Sequence, residues 1–128
     1  MIKNILVVDD SYYMRTILKN ILQDAGYNVV NEAASGLDAI KCTDEEQGNL
    51  DLITLDLILP DNSGLDVLKK IKQKYPKQQV IVVSAVGQTS IIDEALKIGA
   101  TAYIVKPFDE KQVINVVGDV FSRMDRNE

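Results

Sequence analysis

The chain has 128 residues, 46% of them apolar and 26% charged, with a net charge of −5, one cysteine and no histidine. That size suits one domain with a single core, and the missing histidine removes Ser-His-Asp and Cys-His nucleophile systems as well as imidazole-based zinc sites. The absence of a basic run argues against nucleic-acid binding, the apolar runs are too short for a membrane span, and a lone Cys42 with no signal-like leader points to a reducing, cytoplasmic setting.

Apolar runs alternate with segments of helical period along the whole chain. The first strand is expected at 3–8 (KNILVV) and reads as buried on both faces, being short, apolar and free of alternation. It runs straight into Asp9-Asp10, two like charges side by side. A helix follows, carried by Met14, Ile17, Leu18, Ile21, Leu22 and Ala25, with Ser11 or Asp10 as N-cap and Gly26 just past its end. A second strand is expected at 28–33 and a weaker helix at 36–46, whose polar TDEEQGN end reads as frayed. The third strand spans 51–56 (DLITLD), and the helix after it carries Leu65, Leu68 and Ile71 and stops before Pro76. The fourth strand (79–84) leads to a helix at about 88–98, with Ile91, Ile92, Ala95 and Leu96, ending at Gly99. The fifth strand (101–105) leads to a last helix at 109–125, marked by Val113, Val116, Val117, Val120, Phe121 and Met124.

This (βα)₅ alternation predicts an α/β domain, a doubly wound parallel sheet of the flavodoxin-like type with strand order 2-1-3-4-5. In that order strands 1 and 3 are neighbours, and ligands bind beyond the C-terminal strand ends where the winding reverses. Asp9 and Asp10 end strand 1, Asp56 ends strand 3, Ser84 ends strand 4 and Lys106 follows strand 5, so all five meet at one sheet edge. With strands ~4.8 Å apart, Asp56 can lie beside Asp10, and Lys106 has a gap on the order of 10 Å to cross with its flexible stem. Taken singly, each residue has an ordinary role as a cap, a turn residue or a solvated charge. Together they make a cluster with more negative charge than one lysine can balance.

A hard divalent cation resolves that excess, and Mg²⁺ suits a few carboxylates with positions left for water and a phosphoryl oxygen. Carboxylate attack on phosphorus would then give an aspartyl phosphate, with the lysine and the serine hydroxyl on the phosphoryl oxygens.

With Asp9-Asp10, Asp56, Pro60, Gly64, Ser84 and Lys106-Pro107 in these places, the whole chain resembles the receiver domain of two-component response regulators. "DDSYYMR" and "SAVGQTS" make it most similar to the single-domain chemotaxis regulators of the CheY type. The resemblance implies that Asp56 is the phosphoacceptor, and that Asp10 and Asp56 bind Mg²⁺ directly with the Ile58 backbone carbonyl, while Asp9 acts through water. It implies that Ser84 and Lys106 hold the phosphoryl group, that the Lys106-Pro107 bond is cis, and that Tyr103 is the switch aromatic. Ser84 and Tyr103 would then change the face made by helix 4, strand 5 and helix 5. The implied phosphodonor is a sensor histidine kinase of the CheA type, and the implied target is the flagellar motor switch. Residues 1–128 are expected to form one receiver domain with no output domain, a signalling switch and not a true enzyme. Two departures are mild: Ser84 stands where the family more often has Thr, and Leu59-Pro60 where Met-Pro is frequent.

Ile58 and Val86, each two residues past a site residue, are apolar and cannot orient an attacking water through their side chains. Slow loss of the phosphoryl group without a phosphatase partner is the expected consequence. One alternative is a phosphorelay intermediate that hands its phosphoryl group to a histidine phosphotransfer protein. A more distant one is a haloacid-dehalogenase-like phosphatase, which would need D-x-D after the first strand where this chain has adjacent Asp9-Asp10.

Overall fold

A computed structural model describes residues 2–126. Five strands, β1 (Asn4–Val8), β2 (Asn28–Ala33), β3 (Leu52–Leu55), β4 (Val80–Ser84) and β5 (Ala102–Val105), alternate with five helices. These are α1 (Tyr12–Asp24), α2 (Gly36–Glu46), α3 (Gly64–Lys74), α4 (Thr89–Ile98) and α5 (Glu110–Arg126). The strands form one parallel sheet in the order β2-β1-β3-β4-β5, the flavodoxin-like arrangement expected from the alternation. Strand ends fall within a residue of the expected ones, so Asp56 lies one position beyond β3, its N–H donating to Val8 O at 3.0 Å.

Alternate residues of the central strands feed two cores, one on each face of the sheet. Leu6, Val8, Ile53, Leu55, Val80 and Val82 pack with α2, α3 and the sole buried residue of α4, Ala95. Ile5, Val7, Leu52, Ile81 and Val83 pack with Leu18 and Leu22 of α1 and Val113, Val117 and Phe121 of α5.

Local signals account for most of the helix ends. Ser11, not Asp10, caps α1, its Oγ accepting from Met14 N at 3.2 Å. Gly26 closes that helix with a φ of +97°, a conformation in which glycine carries no steric cost. The α2 end is exposed over residues 47–49, as expected, while Asp44 in its last turn accepts from Lys74 Nζ at 2.8 Å and from Tyr75 Oη at 2.6 Å, tying that turn to the end of α3. One helical expectation needs correction. The apolar stripe expected on α4 is mostly not buried, for Ile91 and Ile92 are only half-covered and Leu96 is 44% exposed. Helix α4 covers the sheet near its β5 edge, where fewer neighbours are available to enclose it.

Candidate functional site

The strand ends bring five predicted residues together at the C-terminal edge of the sheet. Asp9, Asp10 and Asp56 each offer a carboxylate oxygen, all within 4.8 Å of one another. Asp9 and Asp56 are buried at 1% and 5% exposure, while Asp10 is exposed. Lys106 crosses the gap left by the sheet order: its Nζ lies 2.7 Å from Asp9 Oδ2 and 2.9 Å from Asp56 Oδ2. One ammonium set against three carboxylates still leaves excess negative charge on one small surface.

Asp56 is held on both oxygens. Oδ1 accepts from Ser84 Oγ at 2.8 Å and from the Ile58 N–H at 3.0 Å, and Oδ2 accepts from Lys106. The loop after it is folded tightly. Gly64 N donates to Leu57 O at 2.9 Å, and a Cβ on Gly64 would stand 2.2 Å from the Leu57 Cα, so no larger residue fits the close approach. Ile58 pairs with Ser63 across that loop, and its side chain is 55% exposed.

Electrostatics follow from burial. Desolvation raises the Asp9 carboxyl above its ordinary range, opposed by the hydrogen bonds from Lys106 and Ser11. Desolvation also acts against the charged Lys106, but its bonds to Asp9 and Asp56 prevail and hold the ammonium above its usual value. Tyr103 is half-buried on β5 and donates from its hydroxyl to Val86 O. Burial, and then the nearby Asp56 charge, push its phenol pKa up. The Lys106-Pro107 peptide is cis.

Two residues that the sequence reading passed over also reach this edge. Arg15 of α1 donates from Nη1 to Asp9 O at 2.8 Å and from Nε to Glu32 Oε1 at 3.1 Å. Its signal was present: Arg15, Leu18 and Leu22 share one helical face, and a charge on a buried stripe needs partners. Asp61 clamps the acceptor loop to α2, its two oxygens accepting from Gly36 N at 2.8 Å and Leu37 N at 3.0 Å.

A cluster of hard oxygen donors with a neighbouring hydroxyl and ammonium suits a small divalent cation better than a soft metal. The donor set therefore fits Mg²⁺. Among the described residues no helix is long and apolar enough to cross a membrane.

Comparison with known proteins agrees with this geometry. The family model of the response regulator receiver domain matches residues 5–118. The chemotaxis protein CheY of Listeria monocytogenes is 42% identical over 113 residues, covering 88% of this chain and 93% of the relative. CheY of Thermotoga maritima is 39% identical over 118 residues, covering 92% and 97%. The crystal structure of a CheX-CheY-BeF3-Mg complex from Borrelia burgdorferi superimposes with a TM-score of 0.91 at 34% identity, covering 93% of this chain and 89% of that one. Sheet order, acidic strand ends and sequence agree: this chain belongs to the response regulator receiver family and is similar to its CheY-type chemotaxis members.

Proposed function

We propose that this receiver accepts a phosphoryl group on Asp56 from a phosphohistidine of a CheA-like sensor kinase. The observation that carries the reading is the state of Asp56: a buried carboxylate whose oxygens are aligned by Ser84, Ile58 N–H and Lys106. A carboxylate oxygen attacks phosphorus, the P–N bond to the imidazole breaks, and the nitrogen keeps the electron pair. Lys106 and the Ser84 hydroxyl, already within bonding distance of Asp56, would then transfer their hydrogen bonds to phosphoryl oxygens. Asp10, Asp56 and the Ile58 carbonyl would hold Mg²⁺ directly, with Asp9 acting through water. When bound, the ion supplies charge neutralisation on those oxygens. Catalysis is limited to the protein's own phosphorylation and dephosphorylation.

The output is read at the face formed by α4, β5 and α5. Tyr103 lies there, linked to the loop after Ser84 through Val86 O, so movement of Ser84 has a direct path to that face. The chemotaxis relatives support a role in chemotaxis; in that role the phosphorylation-dependent target would be the flagellar motor switch and the setting cytoplasmic. The CheX complex of the Borrelia relative supports a further protein partner. Incubation with Mg²⁺ and acetyl phosphate tests the core of the reading. Intact mass should rise by one phosphoryl group in the wild type and not in Asp56→Asn. Equal labelling of both proteins would overturn the assignment.

The tuning positions give a second outcome. Ile58 and Val86 offer an attacking water no side-chain hydrogen bond, so the aspartyl phosphate should decay slowly. Ile58→Asn combined with Val86→Glu should speed phosphate release roughly tenfold or more, within the range of positioned general-base effects. Unchanged decay would show that water positioning lies elsewhere.

A further inference from the structure

We infer that Arg15 is a positioning residue for the acid pair: it fixes the Asp9-Asp10 peptide and thereby aims the Asp10 carboxylate at the cation. This inference rests on the proposed role of Asp10 as a direct ligand. Asp10 is exposed, and its carboxylate takes no hydrogen bond from any described residue, so its direction depends on the main chain. That main chain is held from two sides. The Asp9 N–H donates to Ala33 O at 3.0 Å, and the Asp9 carbonyl accepts from Arg15 Nη1 at 2.8 Å. The carbonyl belongs to the same planar unit as the Asp10 nitrogen, so holding the oxygen sets the axis from which Asp10 projects.

Arg15 is itself braced. Its side chain is 15% exposed, and its Nε donates to Glu32 at the end of β2, whose other oxygen lies 3.6 Å from Lys19 Nζ. A guanidinium can serve a carbonyl and a carboxylate at once because its donors point along a rigid fork; a lysine ammonium is a single point. The brace thus runs from β2 through Glu32 and Arg15 to the peptide before Asp10.

Charge and geometry predict opposite signs here. A cation beside three carboxylates repels Mg²⁺, so if Arg15 acted only by charge its removal would tighten binding. If Arg15 positions Asp10, removal weakens binding, by about tenfold on the scale seen for residues that orient metal ligands.

Titration calorimetry of the full chain with MgCl₂ at fixed ionic strength separates these cases. Arg15→Gln should bind Mg²⁺ about tenfold more weakly. Arg15→Lys, which keeps the charge but cannot span both partners, should fall between it and the wild type. Glu32→Leu, which removes the acceptor, should weaken binding modestly and add little to Arg15→Gln, since both cut the same brace. Equal or tighter binding by Arg15→Gln overturns the inference; if that variant does not fold, wild-type affinity in Arg15→Lys overturns it. Asp10→Asn tests the ligand reading separately and should lose Mg²⁺ whether or not Arg15 matters. Should the wild type bind no Mg²⁺, the ligand reading fails, and metal-free NMR spectra decide the positioning. Unmoved Asp10 and Ser11 amide resonances in Arg15→Lys would then overturn it.

Discussion

Asp9 is 1% exposed and paired with Lys106, whereas Asp10 beside it is exposed and takes no hydrogen bond from a described residue. Asp9 directly follows β1, its N–H still bonded to Ala33 O, and its side chain enters the packed edge; Asp10 stands at the bend before α1 and meets solvent. Thr54 is a polar side chain in the interior. It sits beside Val7 and Ile81, two members of the core under α1 and α5, and among the described residues its buried Oγ1 has no hydrogen-bond partner. A buried hydroxyl without a partner costs stability. Thr54→Val keeps the shape and removes the hydroxyl, so denaturant unfolding should show a gain of about 1 kcal/mol. A loss of similar size would mean that the hydroxyl is satisfied in solution.

Among the elements, the loop after β3 is under the tightest control. Gly64 closes it by backbone contact, and Asp61 joins it to the N-terminus of α2, where a carboxylate also meets the favourable end of the helix dipole. The Leu37 and Gly36 amides hold the Asp61 carboxyl below its ordinary value of 3.8. A pKa depressed in the folded state means that the ionised form supports folding. Its contribution is therefore complete above pH 3.8 and is lost as pH falls through the depressed folded value. Wild type should be more stable than Asp61→Ala at neutral pH, and urea melts at stepwise lower pH should show the difference shrinking. A difference independent of pH would assign the clamp to packing and not to the carboxylate.

For the molecule as a whole, the sheet separates two cores that share strands but not side chains. Leu68 lies in the core under α2 and α3, and Leu22 in the core under α1 and α5, both fully buried. Leu68→Ala and Leu22→Ala should each cost about 2–5 kcal/mol. The sheet stands between them, so the costs should add to within about 0.5 kcal/mol in the double variant. Equilibrium unfolding measures this, and a larger coupling would show that strain passes through the sheet.

Most of the architecture was legible along the chain. The runs ILVV and VIVV mark buried strands, and the spacing of Val113, Val117, Val120 and Phe121 marks the buried face of α5. Helix α4 was misread in its packing because periodicity reports which face is apolar, not how much of it the neighbours cover. The tie from the α2 end to α3 is not legible in the sequence because Asp44 and Lys74 are thirty residues apart. Arg15 was passed over because its partners, the Asp9 carbonyl and Glu32, become neighbours only when α1 packs beside β2.

What the amino-acid sequence determined by itself is the alternation of strands and helices, the acids, hydroxyl and lysine at successive strand ends, and hence the chemistry open to the site. These depend on periods of two and 3.6 residues and on residue type, all local quantities. Tertiary structure alone decided which acid is buried, how Lys106 divides its bonds between partners 97 and 50 residues away, and that Arg15 braces the acid pair. Apart from the bond between Arg15 and the Asp9 carbonyl six residues away, those are contacts between distant segments, and their geometry exists only once the parallel crossovers have set the strands side by side.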